Sequence, residues 1–355
     1  MSEEQKRSVA IIGAGALGSY FGIRLAAAGH PVRFLLRSDY EAVREQGLKL
    51  TLAEGEVVEV EEPEIFRSPG EIGPVDWVLV ALKTTRNDLF KELLPPVVGP
   101  ETLLITVQNG LGNAEALAEQ FPENPVIGAL CQIGVNREAP GRIRSFVPRD
   151  GFVQLGRGPR ASEDQLEAVF GAFQSAGIHS KTTPSLGEAL WRKLMWNVPF
   201  NGLTVAIGGL GTDAVVGDPA LREVARALME EIRTAGVALG YSIEESYTEK
   251  LLGFTDQLGP YMASSVLDWK SGRRIEVDAI WRKPLEAGQA AGVPMPHLET
   301  LTSILGGLRT RGLRTKDKGQ RTKDKGRRTR GPRSIGQGRM MKDQGLWASR
   351  RDDTG

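Results

Sequence analysis

The residues best suited to chemistry lie near position 193, where a lysine and two asparagines recur at four-residue intervals. Lys193, Asn197 and Asn201 would share one face of a helix, because residues four apart lie above one another. Apolar neighbours that include Trp191 would surround the ammonium and lower its pKa towards a range useful for acid or base chemistry. Pro199 would kink the helix near Asn201. The pattern predicts an ammonium beside two amides on one helix face, with a solvated polar helix face as the alternative.

Glycines at the start of the chain form the second pattern with chemical meaning. An apolar run over residues 9–12 predicts a strand, and a helix-prone segment covers residues 19–28. Between them, Gly13, Gly15 and Gly18 have the spacing G-x-G-x-x-G, which allows a tight turn and close approach to a pyrophosphate at a helix N-terminus. Glycines of an ordinary turn are the alternative. The predicted cofactor-binding residues of this stretch are Gly13, Ala14, Gly15, Ala16, Leu17 and Gly18.

Arg37 bears on which dinucleotide binds. Residues 31–36 predict the second strand of a β-α-β unit, and Arg37 follows that strand directly. Proteins that prefer NAD carry an acid here for the ribose hydroxyl, whereas a guanidinium suits a 2′-phosphate. The sequence therefore predicts NADPH rather than NADH. Asp39 and Glu41 stand close enough to weaken this prediction, and a solvated arginine is the alternative.

Polar residues also follow two later strands. Residues 76–82 and 103–107 are near-continuous apolar runs, as strands buried on both faces require. Lys83 follows the first run, and Asn109 comes two residues after the second. Because the carboxyl ends of parallel strands face the ligand crevice, we expect both residues on the cofactor side. Ordinary turn residues are the alternative for each.

These side chains need a sheet and a helical layer to hold them. The predicted class is α/β, with an N-terminal Rossmann-type dinucleotide-binding domain and an all-helical C-terminal domain. The domain boundaries are predicted at 1–183 and 184–308, with the active site expected between the two domains. Further strands are predicted at 48–52, 57–60, 126–130, 141–146 and 152–155. Helices are predicted at 164–176, 189–200, 219–239, 243–253 and 275–291.

Composition and charge bound the class of protein. The chain has 355 residues, of which 40% are hydrophobic, so about two globular domains are expected. Its net charge is +1, but from Arg309 onward 16 Lys and Arg stand against 5 Asp and Glu. The preceding part carries 29 against 39. We therefore expect an acidic folded part followed by a basic tail.

Cysteine and hydropathy patterns indicate the compartment. Cys131 is the single cysteine, which excludes an internal disulfide and fits a reducing compartment. The three histidines are scattered, so no metal site is expected. The chain shows no signal-peptide core and no apolar run of about 18 residues. These patterns predict a cytoplasmic protein with no membrane partner.

Residues 309–355 form a basic, low-complexity tail. A charged, glycine-containing segment at 314–319 nearly repeats at 321–326, and such composition predicts disorder because it buries no core. One interpretation is a tether to nucleic acid or an anionic surface. The tail lacks interleaved aromatic residues before Trp347, so we favour a repeat without a binding role and expect no nucleic-acid partner.

From Val9 to about Gly307 the chain resembles the ketopantoate reductase family, within the 6-phosphogluconate-dehydrogenase-like superfamily. One motif of the resemblance is the glycine stretch, and another is the segment 108–110, Gln-Asn-Gly. The more particular motifs are Lys193-x3-Asn197-x3-Asn201 and Ser264-x11-Glu276.

The resemblance implies that NADPH reduces the C2 ketone of ketopantoate, an α-keto acid, to give pantoate for pantothenate synthesis. It implies that Lys193 is the general acid and that Glu276 is a catalytic residue that orients the substrate beside the cofactor. Asn109 would hold Lys193 and the nicotinamide side, and would contact both substrate and cofactor. The remaining implied substrate-binding residues are Asn197, Asn201 and Ser264, and the remaining implied cofactor-binding residues are Arg37 and Lys83.

Several alternatives stay open at this point. Glu276 could be a surface carboxylate, and Ser264 could be a helix N-cap. A related 2-keto or hydroxy acid dehydrogenase with another substrate is one alternative function. A non-catalytic NADP(H)-binding sensor is another, although the presence of both Lys193 and Glu276 argues against it. The resemblance is compatible with a monomer or a homodimer.

Overall fold

The computed structural model describes residues 6–147 and 151–311, so the predicted tail lies, from residue 312, outside the described residues. Over the described residues the chain divides into two compact units. The first comprises residues 6–147 and 151–193 with Asp278–Pro284, and the second comprises Leu194–Val277 with residues 285–311. None of the helices in the described part has the length and apolar character needed to cross a membrane.

All the strands of the described residues belong to the first unit. They are β1 Val9–Ile12, β2 Val32–Leu35, β3 Leu48–Thr51, β4 Val57–Val60, β5 Glu64–Phe66, β6 Val75–Val80, β7 Val98–Thr106, β8 Val126–Ile133, β9 Val135–Ala139, β10 Arg142–Ser145, β11 Gly151–Arg157 and β12 Ser180–Thr183. Eight form one sheet in the order β12-β11-β8-β7-β6-β1-β2-β5, in which only the β8–β11 pair is antiparallel among the paired strands described. The other four form a second sheet in the order β4-β3-β10-β9.

The helices are spread over both units. They are α1 Ala16–Ala27, α2 Tyr40–Gln46, α3 Pro69–Ile72, α4 Phe90–Leu93, α5 Asn113–Gln120, α6 Glu163–Ser175, α7 Leu186–Ala206, α8 Thr212–Val216, α9 Pro219–Ala238, α10 Tyr247–Leu258, α11 Ser264–Lys270, α12 Lys283–Ala290 and α13 Pro296–Arg311. A 3-10 turn covers Thr84–Leu89, and a π-helical turn covers Asp278–Arg282.

Strand β1 shows why the main sheet forms where it does. Its four residues are completely buried, and successive side chains point to opposite faces of the sheet. Val9 and Ile11 therefore join the apolar cluster on one face, whereas Ala10 and Ile12 join the cluster on the other. A strand covered on both faces needs an unbroken apolar run, as this stretch provides. The central position of β1 places the glycine turn in the middle of the sheet.

The second unit contains helices and, over its described residues, no strand. Helix α9 begins at an Asp218 cap whose carboxylate accepts from the N–H groups of Ala220 and Leu221. Its buried residues include Leu228 and Ile232, and α13 contributes the buried Leu298 to the same unit. The predicted combination of a Rossmann-type domain and an all-helical domain is confirmed.

Several element predictions need correction. The helix predicted at 275–291 starts later, with a π-helical turn that precedes α12. Pro284, the second residue of α12, has no N–H for the helical ladder, which suits an irregular turn before it. Helix α7 continues past Pro199 to Ala206, beyond the predicted end. The helix predicted at 243–253 is α10, which runs from Tyr247 to Leu258. Elements β5, β9, β12, α2, α3, α4, α5, α8, α11 and α13 were not predicted.

Candidate active site

The carboxyl edge of the main sheet collects four of the predicted site residues. Gly13 follows β1, Arg37 follows β2 after one residue, and Lys83 follows β6 after two residues. Asn109 follows β7. Because β1, β2, β6 and β7 are parallel neighbours, the ends of all four lie along the same edge. This edge, where the chain order of the strands reverses at β1, is where open α/β sheets bind ligands.

The three glycines after β1 serve different purposes. Gly13 has φ +102°, and a Cβ there would lie 2.6 Å from the Leu82 nitrogen. A Cβ on Gly18 would overlap the Gly13 carbonyl oxygen, so α1 can approach the turn only if this residue is glycine. Gly15, in contrast, is exposed, and a Cβ there would meet nothing within 4 Å in the described structure. The packing of the protein itself therefore does not require a glycine at position 15.

The start of α1 is suited to an anion. Gly15 is its N-cap, and no side chain of the described residues caps it. No acidic residue occurs in the first turn, so the partial positive charge of the helix N-terminus is not neutralised locally. A free helix N-terminus beside an open glycine is the arrangement that pyrophosphate groups use.

Lys193 is held by two hydrogen bonds within the first unit. Its Nζ donates to Asn109 Oδ1 and to the Cys131 carbonyl oxygen, each at 2.8 Å. The lysine is half-buried and lies in α7, whereas its acceptors follow β7 and lie in β8. Burial raises the pKa of the Cys131 thiol to about 12, although the Lys193 ammonium acts in the opposite direction. The cysteine therefore stays protonated, and its main-chain carbonyl serves as the anchor.

The loop that carries Asn109 is fixed by a network of amides. Asn113 Nδ2 donates to the Asn109 carbonyl oxygen at 3.0 Å, and Gln108 Nε2 donates to Leu82 O and Asn87 Oδ1, each at 2.8 Å. Gln108 and Asn113 are both buried. Buried amides with satisfied hydrogen bonds hold a loop in one geometry, so the acceptor for Lys193 is positioned before any ligand arrives.

The segment Asp278–Pro284 packs on the same loop. The Leu111 N–H donates to the Ala279 carbonyl oxygen at 2.9 Å, and Lys283 Nζ donates to the Gly112 carbonyl oxygen at 3.1 Å. Gly110 has φ +85° and lies against Ala279 so closely that a Cβ would overlap it. The π-helical turn therefore stabilises the loop from one side, as the amides do from within.

Arg37 and the two acids that follow it in sequence differ in whether they are paired with other residues. Arg37 is exposed and forms no hydrogen bond or ion pair with any residue that the structure describes. Asp39 is 6% exposed and accepts from Arg137 Nη1 at 2.9 and 2.7 Å. Glu41 pairs with Arg44 and Arg67. The two acids that weakened the cofactor prediction are thus already neutralised.

The predicted residues of the second unit form a separate group. Asn201 is 2% exposed, and its Oδ1 accepts from the Ser265 N–H at 2.9 Å and from Ser264 Oγ at 3.3 Å. Ser264 is the first residue of α11 rather than its N-cap, which is Ala263. The side-chain oxygen of Asn201 therefore accepts hydrogen bonds from the start of α11. The NH₂ group is the part of this amide that can donate to a ligand.

Asn197 and Glu276 are both buried. Asn197 is 7% exposed, and its amide makes no hydrogen bond to another residue in the described ranges. Glu276 is 4% exposed, so it is not a surface carboxylate. The side-chain nitrogen and oxygen of Asn197 are not fully enclosed, so its amide is open to water or a ligand.

Sequence reasoning missed several residues of these groups. The Cys131 carbonyl has no signal in the sequence, since every residue has a carbonyl. Arg137 lies 98 residues from Asp39, and Lys283 lies 171 from Gly112, so no local spacing connects them. Asn113 stands four residues after Asn109 at the start of α5, a spacing that could have suggested their contact.

Comparisons with known proteins agree with the resemblance. A family model described as "Ketopantoate reductase PanE/ApbA" matches residues 9–160, and one described as "Ketopantoate reductase PanE/ApbA C terminal" matches residues 186–309. A 2-dehydropantoate 2-reductase from Nostoc sp. is 34% identical over 320 residues, which are 88% of this chain and 99% of that protein.

Solved structures are also similar. A crystal structure of 2-dehydropantoate 2-reductase from Geobacter metallireducens has 37% identity and a TM-score of 0.80, with 84% of this chain and 99% of that chain covered. A ternary structure of D-mandelate dehydrogenase with NADH and anilino(oxo)acetate has 20% identity and a TM-score of 0.76, with 86% and 99% covered. The second likeness shows the fold alone.

Proposed function

Because the chain belongs to the ketopantoate reductase family, we propose that it reduces 2-dehydropantoate (ketopantoate) to pantoate with NADPH, a step of pantothenate synthesis. The observation that carries the proposal is the position of Lys193, whose ammonium is held 2.8 Å from both Asn109 Oδ1 and the Cys131 carbonyl oxygen. A fixed ammonium near the ligand edge of a Rossmann-type sheet is suited to donating a proton during carbonyl reduction.

The described residues fit a dinucleotide. Gly15 leaves open space at the N-terminus of α1, where the pyrophosphate would be held by the main-chain N–H groups of residues 13–18. Arg37 would bind the 2′-phosphate, with Lys83 as a second cation on the same edge. When bound, NADPH supplies the hydride that the C2 ketone accepts.

Lys193 would protonate the oxygen of that ketone as negative charge develops on it. Its two anchors fix the nitrogen, so the donor does not have to be ordered during the reaction. The reaction then balances: hydride reaches C2, the proton from Lys193 reaches the oxygen, and solvent returns a proton to the lysine. Asn109 would align Lys193 with the nicotinamide side of the cofactor.

The predicted polar site residues of the second unit suit an anionic hydroxy-keto acid. Asn197 and Asn201 would donate from their amides to the substrate carboxylate, and Ser264 would contact its hydroxyl group. Glu276 would accept from a substrate hydroxyl and orient it, and would contact the cofactor. These assignments follow the family positions of the residues and the burial of the three that are closed to solvent.

Three further assignments complete the proposal. We assign cofactor binding to the domain 1–183 and substrate binding to the domain 184–308, and no function to residues 309–355. We place the enzyme in the cytoplasm, as a monomer or a homodimer.

A substrate panel tests the proposed function. The purified full chain is assayed with ketopantoate and with other α-keto acids, each with NADPH and with NADH, by the loss of reduced-cofactor absorbance. We expect the highest kcat/KM for ketopantoate with NADPH. A clear preference for another keto acid would refute the substrate assignment, and binding of NADPH without turnover of any keto acid would refute the enzyme assignment.

A further inference from the structure

Asp39 is a buried carboxylate next to the proposed 2′-phosphate site. It stands two residues after Arg37, beyond the end of β2, and it is only 6% exposed. Arg137 Nη1 lies 2.9 Å from Asp39 Oδ1 and 2.7 Å from Oδ2, and Ser38 Oγ donates to Oδ1 at 2.8 Å. Both carboxylate oxygens therefore already have a donor within the protein.

We infer that Arg137 is a positioning residue for cofactor choice, which keeps Asp39 paired and so keeps Arg37 available to the 2′-phosphate. The inference rests on the proposed function, because it takes the ligand to be NADPH. It assigns to Arg137 a role that the glycine motif and Arg37 alone do not provide.

The charges around the end of β2 explain the need for such a residue. An acid here is the group that recognises the ribose hydroxyls of NAD, and it would repel a 2′-phosphate. Asp39 is the acid nearest in sequence to Arg37. Without Arg137, the negative charge of Asp39 would be free to cancel the positive charge of Arg37. With Arg137, the three residues together carry one positive charge, which favours the phosphorylated cofactor.

The second acid near this site is also paired with arginines. Glu41 pairs with Arg44 and with Arg67, whose guanidinium lies 4.0 Å from the ring centroid of Tyr40. Arg37, in contrast, has no partner among the described residues. Both acids are thus paired with arginines, whereas Arg37, the arginine just beyond β2, is not paired with any described residue.

Arg137 reaches Asp39 from a different sheet. It lies in β9, which is antiparallel to β10, and β10 is in turn parallel to β3. The four-stranded sheet thus has a function beyond packing, since it delivers a cation to the cofactor edge of the first unit. The next residue, Glu138, forms an exposed ion pair with Arg144 of β10, which offers a matched control on the same strand pair.

The test compares cofactor preference in Arg137→Gln, Asp39→Asn/Arg137→Gln and the control Arg144→Gln. We expect Arg137→Gln to raise the KM for NADPH about tenfold and to change the KM for NADH by less than about threefold. The double variant should restore the NADPH KM to within about threefold of wild type, because it removes the carboxylate charge. The control should retain the wild-type ratio.

Each outcome decides one question. Equal changes for NADPH and NADH in Arg137→Gln, or no recovery in the double variant, would overturn the inference and indicate a structural role or direct phosphate contact. If Arg137→Gln does not fold, the double variant alone decides: retained NADPH preference supports the inference, and lost preference refutes it. A wild-type protein that does not prefer NADPH would refute the proposed cofactor instead.

Discussion

Lys193 is held by acceptors of two kinds, an amide side chain and a main-chain carbonyl. The bonds to Asn109 and Cys131 are equally short, and the three groups come from α7, the end of β7 and β8. A lysine side chain loses much rotamer entropy when it is fixed in one position. The hydrogen bonds to Asn109 and Cys131 have to offset that loss. Such fixed placement is what a proton donor requires.

Replacing this lysine tests its proposed role. Lys193→Ala should lower kcat at least about a hundredfold, the usual scale for loss of a general acid, with a small change in the Kd for NADPH. Steady-state assays and cofactor titration check the two quantities separately. Lys91→Ala, which removes an exposed lysine of α4, is the control and should be fully active. A Lys193→Ala enzyme with near-normal kcat would exclude the lysine as the acid.

Cys131 gives a second prediction at the scale of one residue. Burial raises its thiol pKa to about 12, so the thiol stays protonated at pH 8. We therefore expect the folded protein to resist alkylation by iodoacetamide, and the urea-unfolded protein to react readily. Intact mass measurement checks this directly. Rapid alkylation of the native protein at pH 8 would contradict the burial of this thiol.

The residues show where sequence reasoning reaches its limit. It singled out Lys193 and Asn109, which lie in hydrogen-bond contact, because an ammonium in an apolar helix and a polar residue after a buried strand are visible in the sequence. It did not identify Arg137 or the Cys131 carbonyl. Pairing between residues 98 apart depends on how β9 folds back towards α2, and that path is fixed by long-range packing.

The glycine turn and α1 illustrate the scale of single elements. Gly18 is needed because α1 lies against the turn, whereas Gly15 has no neighbour in the described structure that would meet a side chain. Its φ of −79° is also open to alanine. Gly18 is therefore needed for packing within the protein, whereas Gly15 is the position at which the motif leaves space for a ligand.

Two alanine substitutions test this separation. Gly15→Ala should leave the free energy of unfolding unchanged or raise it by about 0.4–1 kcal/mol, but should increase the Kd for NADPH at least tenfold. Gly18→Ala should lower the free energy of unfolding by about 1–3 kcal/mol, because its Cβ would overlap a main-chain oxygen. Urea denaturation and cofactor titration provide both values. A Gly15→Ala protein with normal cofactor affinity would show that the open space is not used.

Secondary-structure elements were predicted best where both faces of the element are buried. Strands buried on both faces, such as β1 and β6, were located closely, since their apolar runs are unbroken. Short edge strand β5 and the partly exposed β9 were missed, because they do not need such runs. The π-helical turn before Pro284 was also missed, since its backbone depends on the loop that it packs against.

At the scale of the whole molecule, the described fold ends with α13. Leu298, Leu301 and Leu305 of this helix are buried, and the helix ends at Arg311. The C-terminal family model matches up to residue 309. The stretch that the C-terminal family model covers therefore ends close to the point at which the sequence becomes basic and repetitive.

Truncation tests whether the remaining chain matters. Removing residues 312–355 should leave kcat and both KM values within about twofold of wild type, because the family model matches only residues up to 309. Removing residues 296–355, which also deletes α13, is the comparison and should prevent folding because it exposes a helical core. Activity lost on the shorter deletion would assign a role to the tail.

The general class of the molecule was within reach of the sequence, but its internal connections were not. Unbroken apolar runs in the first part of the chain and helical periodicity in the second predicted a Rossmann-type domain before a helical one. They did not predict that Asp278–Pro284 would rejoin the first unit, because that return depends on contacts with residues 110–112. The same contacts fix the loop that holds Asn109 and, through it, Lys193.

Transfer of a labelled hydride tests the central claim most directly. The full chain is incubated with ketopantoate and NADPH deuterated at the transferred position of the nicotinamide, and the product is analysed by mass spectrometry and NMR. The proposed function predicts pantoate with deuterium at C2, formed at a rate that falls at least about a hundredfold in Lys193→Ala. Pantoate without deuterium, or no pantoate although NADPH binds, would contradict it.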